Sequence, residues 1–230
     1  LGRRRSSNVV PTLVELMEHP DDNVVVAAIE ALGRVGGRAA IEALVTAVES
    51  RKFFHTFPAI DVLGRSGDPR AVAPLVALLD SPQYAQEACR ALGRTAERGA
   101  VPPLVHVLTS LMDATVRVAA LSLAELRERH RARYGAVAII DEAIRNAAVP
   151  DAVVRRLAQC ITGADSQELA AVCAVLGAIG AEAAVSILVP LLQSAPVTQA
   201  AADALKAIGQ RAAETQLLQA LREGSSALRQ

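Results

Sequence analysis

Residues 28–48 read AIEALGRVGGRAAIEALVTAV, and residues 59–79 and 88–108 repeat that pattern without a gap as AIDVLGRSGDPRAVAPLVALL and ACRALGRTAERGAVPPLVHVL. VCAVLGAIGAEAAVSILVPLL from Val172 and ADALKAIGQRAAETQLLQAL from Ala202 are two further copies. With the Leu of each "LG" or "LK" pair as origin, the copies start at Leu1, Leu32, Leu63, Leu92, Leu176 and Leu205. Self-similarity at a fixed period of about thirty residues marks a chain built of stacked units rather than one globular core.

The offsets state what each unit is. Ala28, Ile29 and Leu32, like Ala59, Ile60 and Leu63 or Ala88, Cys89 and Leu92, lie three and four positions apart and form one apolar helix face. Downstream, Val10, Ile41, Val72, Val101 and Val185 are followed at helical spacing by Leu13, Leu44, Leu75, Leu104 and Leu188, then by Met17, Val48, Leu79, Leu108 and Leu192. That second stripe requires a second helix. Glycine one position past the origin (Gly2, Gly33, Gly64, Gly93, Gly177) permits close helix contact, and glycine four past it (Gly36, Gly67, Gly180, Gly209) suits a helix C-terminal turn. Asp68-Pro69 reads as N-cap and first position of the following helix. Asp21-Asp22 reads likewise as capping, and Asp165 with Glu168 as a capping box.

A unit of this length whose first helix closes with A-x-x-x-LG resembles the HEAT repeat, in the short HEAT-like form named after phycobilisome lyases. The resemblance implies an all-α, right-handed α-solenoid of antiparallel helix pairs, with six to seven repeats, an irregular middle and a length of roughly 60 Å at 8–10 Å per packed helix. It implies less about activity, because such repeats occur in scaffolds, adaptors, chromophore lyases and a metal-dependent hydroxylase.

One solenoid domain is expected over residues 1–224, with regular repeats at 1–111, an irregular repeat and an extra helix at 112–164, and regular repeats with a C-terminal cap at 165–224. Residues 225–230 form a polar tail. In the middle, Ala114–Leu121 and Val137, Ile140 and Ile144 supply a helix pair separated by the insert Leu126–Tyr134, and a helix over Asp151–Ile161 has no counterpart in the repeat. Glu214, Thr215, Gln216 and Gln219 give the last unit the polar face that a cap needs. At the other end nothing in the sequence covers Val10, Leu13 and Met17. That face is expected to be exposed, the chain being excised from a longer, bacterial protein, or else covered by another domain or subunit.

Composition narrows the chemistry. Of 230 residues, 46 are Ala, 52% are apolar and 2% aromatic, with no Trp, which suits close-packed helices and leaves little for an aromatic-lined pocket. Lys+Arg and Asp+Glu balance at 24 each, which removes the broad basic footprint of a nucleic-acid binder. Cys89, Cys160 and Cys173 show no C-x-x-C spacing, so neither disulfides nor zinc are implied, and a reducing cytoplasm fits best. Cys89 and Cys173 occupy the core position of Ile29 and Ile60. Leu169–Leu192 is long enough to span a bilayer and holds one charge, Glu182, but its residues keep the repeat register and read as two helices broken at Gly180. The resemblance to deoxyhypusine hydroxylase repeats would require His-Glu pairs; His19, His55, His106 and His130 are followed by Pro, Thr, Val and Arg. No metal, cofactor or catalytic residue is expected.

Three groups remain as binding candidates. Arg34, Arg65 and Arg94 (with Arg3) recur two past the origin; they either cap the last carbonyls of their helices or face an acidic partner. Arg127, Arg129, Arg131 and Arg133, interleaved with Glu125 and Glu128, form either a solvated helix end or a grip on an acidic group. Finally, Phe53, Phe54 and Phe57 are all the phenylalanines of the chain and flank His55, where other units have a small polar turn. They either fill an irregular core or present a hot spot. The leading expectation is a non-catalytic module that binds a protein or peptide. The alternative, from the resemblance alone, is a bilin lyase-like or regulatory protein.

Overall fold

The computed structural model describes residues 9–211, and among these there are thirteen α-helices and no strand. The second helices of the repeats are α1 (Val10–Leu16), α3 (Gly37–Glu49), α5 (Val72–Val76), α7 (Val101–Val107), α9 (Ala138–Ala147) and α12 (Val185–Leu191). The first helices are α2 (Asp22–Val35), α4 (Phe53–Ser66), α6 (Ala85–Thr95), α8 (Asp113–Tyr134), α11 (Ser166–Ile179) and α13 (198–211), and α10 (Pro150–Cys160) is the extra one. First helices stack on first helices in the order α2, α4, α6, α8, α11, while α1 packs on α3, α3 on α5 and α7 on α9. The result is a two-layered all-helical solenoid whose shared core is the pair of apolar stripes: Ile29, Leu32, Ile60, Leu63, Cys89 and Leu92 from the first helices and Leu44, Leu75 and Leu104 from the second are all buried.

Glycine sets the spacing of the first-helix layer. A Cβ on Gly64 would lie 2.8 Å from the Ala91 Cα, one on Gly93 2.7 Å from the Ser122 carbonyl oxygen, and one on Gly177 2.9 Å from the Ala204 Cα. Each neighbour is thus main chain of the next first helix, at a distance no Cβ tolerates. In the regular units the residue met is the one just before the next origin Leu, so the Gly93–Ser122 contact places the origin of the irregular unit at Leu123. The step from Leu92 is then 31, as in the first repeats. Sequence comparison alone misses it because Ala124 stands where the glycine should follow.

Helix ends follow the expected chemistry with two exceptions. Asp21 accepts from the Asn23 N–H at 2.9 Å, Asp68 from the Arg70 N–H at 2.9 Å, and Asp165 with Glu168 forms the full capping box. Gly67 and Gly180 end their helices in the left-handed region at φ 62° and 73°, where a Cβ is disfavoured. The fourth unit has Ala96 there at φ 59°, and Gly209 lies inside α13 instead of ending it. The Asp68 carboxyl also takes the Arg70 guanidinium, which holds it below its ordinary value. Asp68→Ala is expected to cost about 1 kcal/mol, the usual loss for a helix cap, measurable by denaturant unfolding.

One other expectation changes. Val10 and Met17 are buried and Leu13 half-buried, because α1 packs on α2 and α3; the predicted open apolar face is not seen on these residues. The extra helix α10 has neighbours in space even though it has none in the repeat: it packs on α8, α11 and the 3-10 turn Glu182–Ala184. The polar cap expected at Glu214, Thr215, Gln216 and Gln219 and the units' first residues, Leu1 to Arg3, lie outside the described residues.

Candidate interaction surface

Arg51, at the end of the α3–α4 connection, adopts φ 56°, a conformation that a side-chain-bearing residue enters only with support. The support is identifiable. The buried Tyr84 hydroxyl donates to the Arg51 carbonyl at 3.1 Å, and the Arg51 guanidinium donates to the Ser81 hydroxyl at 2.8 Å and to the Ala77 carbonyl at 3.1 Å. Lys52 pairs with Glu18 at 3.2 Å. The strained residue is therefore bolted to the next unit, and its neighbour to the previous one.

From that anchor α4 begins with its aromatic rings. Phe57 sits half-buried against Tyr84, with centroids 5.0 Å apart; Phe53 packs on Phe57 at 4.7 Å and Phe54 on Phe53 at 5.2 Å. Phe53 is 61% exposed and Phe54 45%. Helix runs through all three despite Pro58, whose missing N–H leaves the Phe54 carbonyl without its helical donor. So Phe57 fills the core and the other two rings do not. His55, grouped with them as a binding candidate, is instead buried; burial pushes its imidazole below the usual value, and Lys52 adds to the effect.

Most of the arginines in the two groups are engaged within the chain. Arg65 bridges Glu30 of the preceding first helix at 3.1 Å and Asp61 of its own at 2.8 Å, and Arg94 reaches back to Asp61 at 3.0 Å. Arg65 and Arg94 are thus part of an inter-unit ion-pair ladder, Glu30–Arg65–Asp61–Arg94. The acids sit two before the origin, a complementarity visible in the sequence once the units are stacked. Arg34, at the start of the row, is exposed and makes no ion pair among the described residues. Around α8, Arg127 grips Asp141 with two bonds, Arg129 pairs with Glu125, Arg131 with Glu128 and Arg133 with Glu97, so these four point to different neighbours and form no common grip. Alternate residues on a helix are about 200° apart, so Arg127 and Arg131 share one face and Arg129 and Arg133 the opposite one.

The three thiols are held away from solvent. Cys89, Cys160 and Cys173 are buried, and burial pushes Cys89 up to about 12 and Cys173 to about 11. Among the described residues no group of three His, Cys, Asp or Glu is arranged to hold a metal ion, and no helix is long and apolar enough to cross a membrane.

The family model for HEAT repeats matches residues 1–54 and 57–124. The chain belongs to the HEAT-repeat family. Its array is similar to an engineered protein solved as Northeast Structural Genomics Consortium target OR329, at 25% identity and TM-score 0.62 over 87% of this chain and 96% of that one. It is also similar to the designed armadillo repeat protein YIII(Dq)4CqI, at 21% identity and TM-score 0.60 over 86% and 99% of the two chains. A related design, YIII(Dq.V1)4CPAF in complex with peptide (KR)4, matches at 20% identity and TM-score 0.57 over 86% and 99%. No curated protein matches the sequence. The HEAT array explains why the Phe pair stands out: the repeat prescribes small polar residues between units, and here it carries two exposed rings on a supported backbone.

Proposed function

We propose that this HEAT array is a non-catalytic interaction module that binds a protein or peptide segment through the surface centred on Phe53 and Phe54. One observation carries the reading: two exposed aromatic rings are fixed in place by Phe57, Tyr84 and the strained Arg51, so their entropy is spent before any partner arrives. The solenoid architecture agrees with it, since stacked units present long continuous surfaces and leave no enclosed site. A designed protein of similar fold was solved holding a peptide.

The test uses a photocrosslinking residue at position 54 and, as reference, at the distant exposed position 199. Crosslinks to the same partner from 54 and not from 199 are the expected result. Phe53→Ala/Phe54→Ala should weaken capture of that partner by about tenfold or more, the scale of an aromatic hot spot, with the melting temperature unchanged because both rings are exposed. Equal capture by the double variant would remove the reading.

A further inference from the structure

The edge that carries Phe53 and Phe54 extends over four inter-unit connections: direct contacts join Glu18 to Lys52 and Arg51 to Ser81, and a groove of about 570 Å³ spans Asp80 and Leu111. Apolar side chains stand out along it. Beyond the two rings, Leu111 is 94% exposed and Met112 55%. Neither floats, because the Arg156 guanidinium donates to the Ser110 carbonyl at 2.6 Å and the Leu111 carbonyl at 2.9 Å. At about 10 Å per stacked unit, Phe53 and Leu111 are roughly 20 Å apart. The groove beside Leu111 runs between the α5 and α7 segments, and its walls include Val76, Leu79 and His106.

Along this edge the acids slightly outnumber the bases. Glu18, Glu49 and Asp80 each lie seventeen positions after the origin Leu of their units, so stacking puts them in one row. Glu49 ends α3, where the helix dipole disfavours a carboxylate, and Glu18 and Asp80 lie two and four residues past the ends of α1 and α5. Glu18 is matched by Lys52, whereas Glu49 and Asp80 are exposed and have no ion-pair partner among the described residues. Arg156 is neutralised by Asp113, whereas Arg51, held by the neutral Ser81 hydroxyl and Ala77 carbonyl, keeps its charge and offsets one of the two acids, so the edge retains a net negative charge. Three acids in one row, two of them without an ion pair among the described residues, and four exposed apolar side chains share one edge.

We infer that this edge takes a basic amphipathic segment, its apolar side chains seated on Phe53, Phe54 and the Leu111–Met112 knuckle and its Lys or Arg side chains on Glu49 and Asp80. The inference rests on the interaction reading above and adds the chemistry of the partner. A partner of opposite pattern would place carboxylates against Glu49 and Asp80, a juxtaposition that costs affinity.

Three fluorescein-labelled peptides of equal length, made of Leu with Lys, Leu with Glu and Leu with Gln, test it by fluorescence anisotropy on the full chain. The Leu/Lys peptide should bind about tenfold tighter than the Leu/Gln peptide, as two surface ion pairs allow, should weaken as salt is added, and the Leu/Glu peptide should bind least. Glu49→Lys/Asp80→Lys should erase the preference for Lys over Gln; Glu182→Lys, far along the array, should not. Phe53→Ala/Phe54→Ala should weaken the Lys and Gln peptides alike. Equal binding of the Lys and Gln peptides, or an equal loss in Glu182→Lys, overturns the charge assignment and leaves the interaction reading standing. Failure of every peptide to bind, or binding indifferent to the Phe pair, overturns both.

Discussion

Gly93→Ala should lower the stability of the array by about 2–3 kcal/mol, the cost of forcing a methyl group into a filled interface. The added Cβ would sit 2.7 Å from the Ser122 carbonyl oxygen and 2.9 Å from the Ser122 Cα. Neither atom can swing aside, because both belong to the main chain of α8, so α6 and α8 must separate. The gain of up to about 1 kcal/mol that alanine brings to a helix interior does not offset this. For a chain of this size the melting temperature should fall by roughly 5–10 °C. Gly99→Ala supplies the reference: nothing lies closer to its added Cβ than Val72 Cγ1 at 3.9 Å, and its effect should stay within about 0.5 kcal/mol. Gly33→Ala should fall between the two, since the atom it meets is a Val62 methyl that can rotate. Equal melts for Gly93→Ala and Gly99→Ala would show that the first helices are not in close contact.

Arg156→Ala is the second large effect. Its guanidinium, mostly buried, ties α10 to the α7–α8 connection by donating to two carbonyls and to the Asp113 carboxylate at 2.6 Å. Losing the hydrogen bonds of this mostly buried, charged donor costs about 2 kcal/mol, or roughly 4–8 °C in the melt. A second readout separates this from simple truncation. Arg156 holds the Asp113 carboxyl below its ordinary value, so the stability linked to Asp113 is present above its unfolded-state value and is lost as pH falls through the depressed folded-state one. Without Arg156 the Asp113 carboxyl should titrate nearer its ordinary value, seen by NMR, and the acid limb of the stability curve should flatten. Arg156→Lys should keep Asp113 low while losing part of the melt, since one ammonium cannot reproduce the planar fork. An unmoved Asp113 in Arg156→Ala would contradict the contact.

The repeat was legible because it is local and periodic. Apolar positions at helical spacing, Gly after the origin Leu and caps at Asp21, Asp68 and Asp165 are all set by neighbours a few residues apart, and each stands in the structure. The roles of charged side chains were not legible. Arg65 and Arg94 recur in register like ligands, yet their partners, Glu30 and Asp61, come from neighbouring units, at distances only stacking defines. Burial at the N-terminal unit was misread for a related reason: the sequence shows which residues of α1 are apolar, but not that α2 and α3 close over Val10 and Met17.

The aromatic cluster divides most clearly between the two levels. Composition and position alone singled out Phe53, Phe54 and Phe57 as foreign to the repeat. Which of them fills space and which meets solvent depends on Tyr84, a residue of the next unit that accommodates one ring and leaves the other two outside. Sequence by itself determined the unit, its two helices and its family, because those follow from backbone preference and the burial of periodic stripes. Only the tertiary structure decided which charges are cancelled and which rings are offered, because both depend on contacts between units that lie about thirty residues apart in the chain.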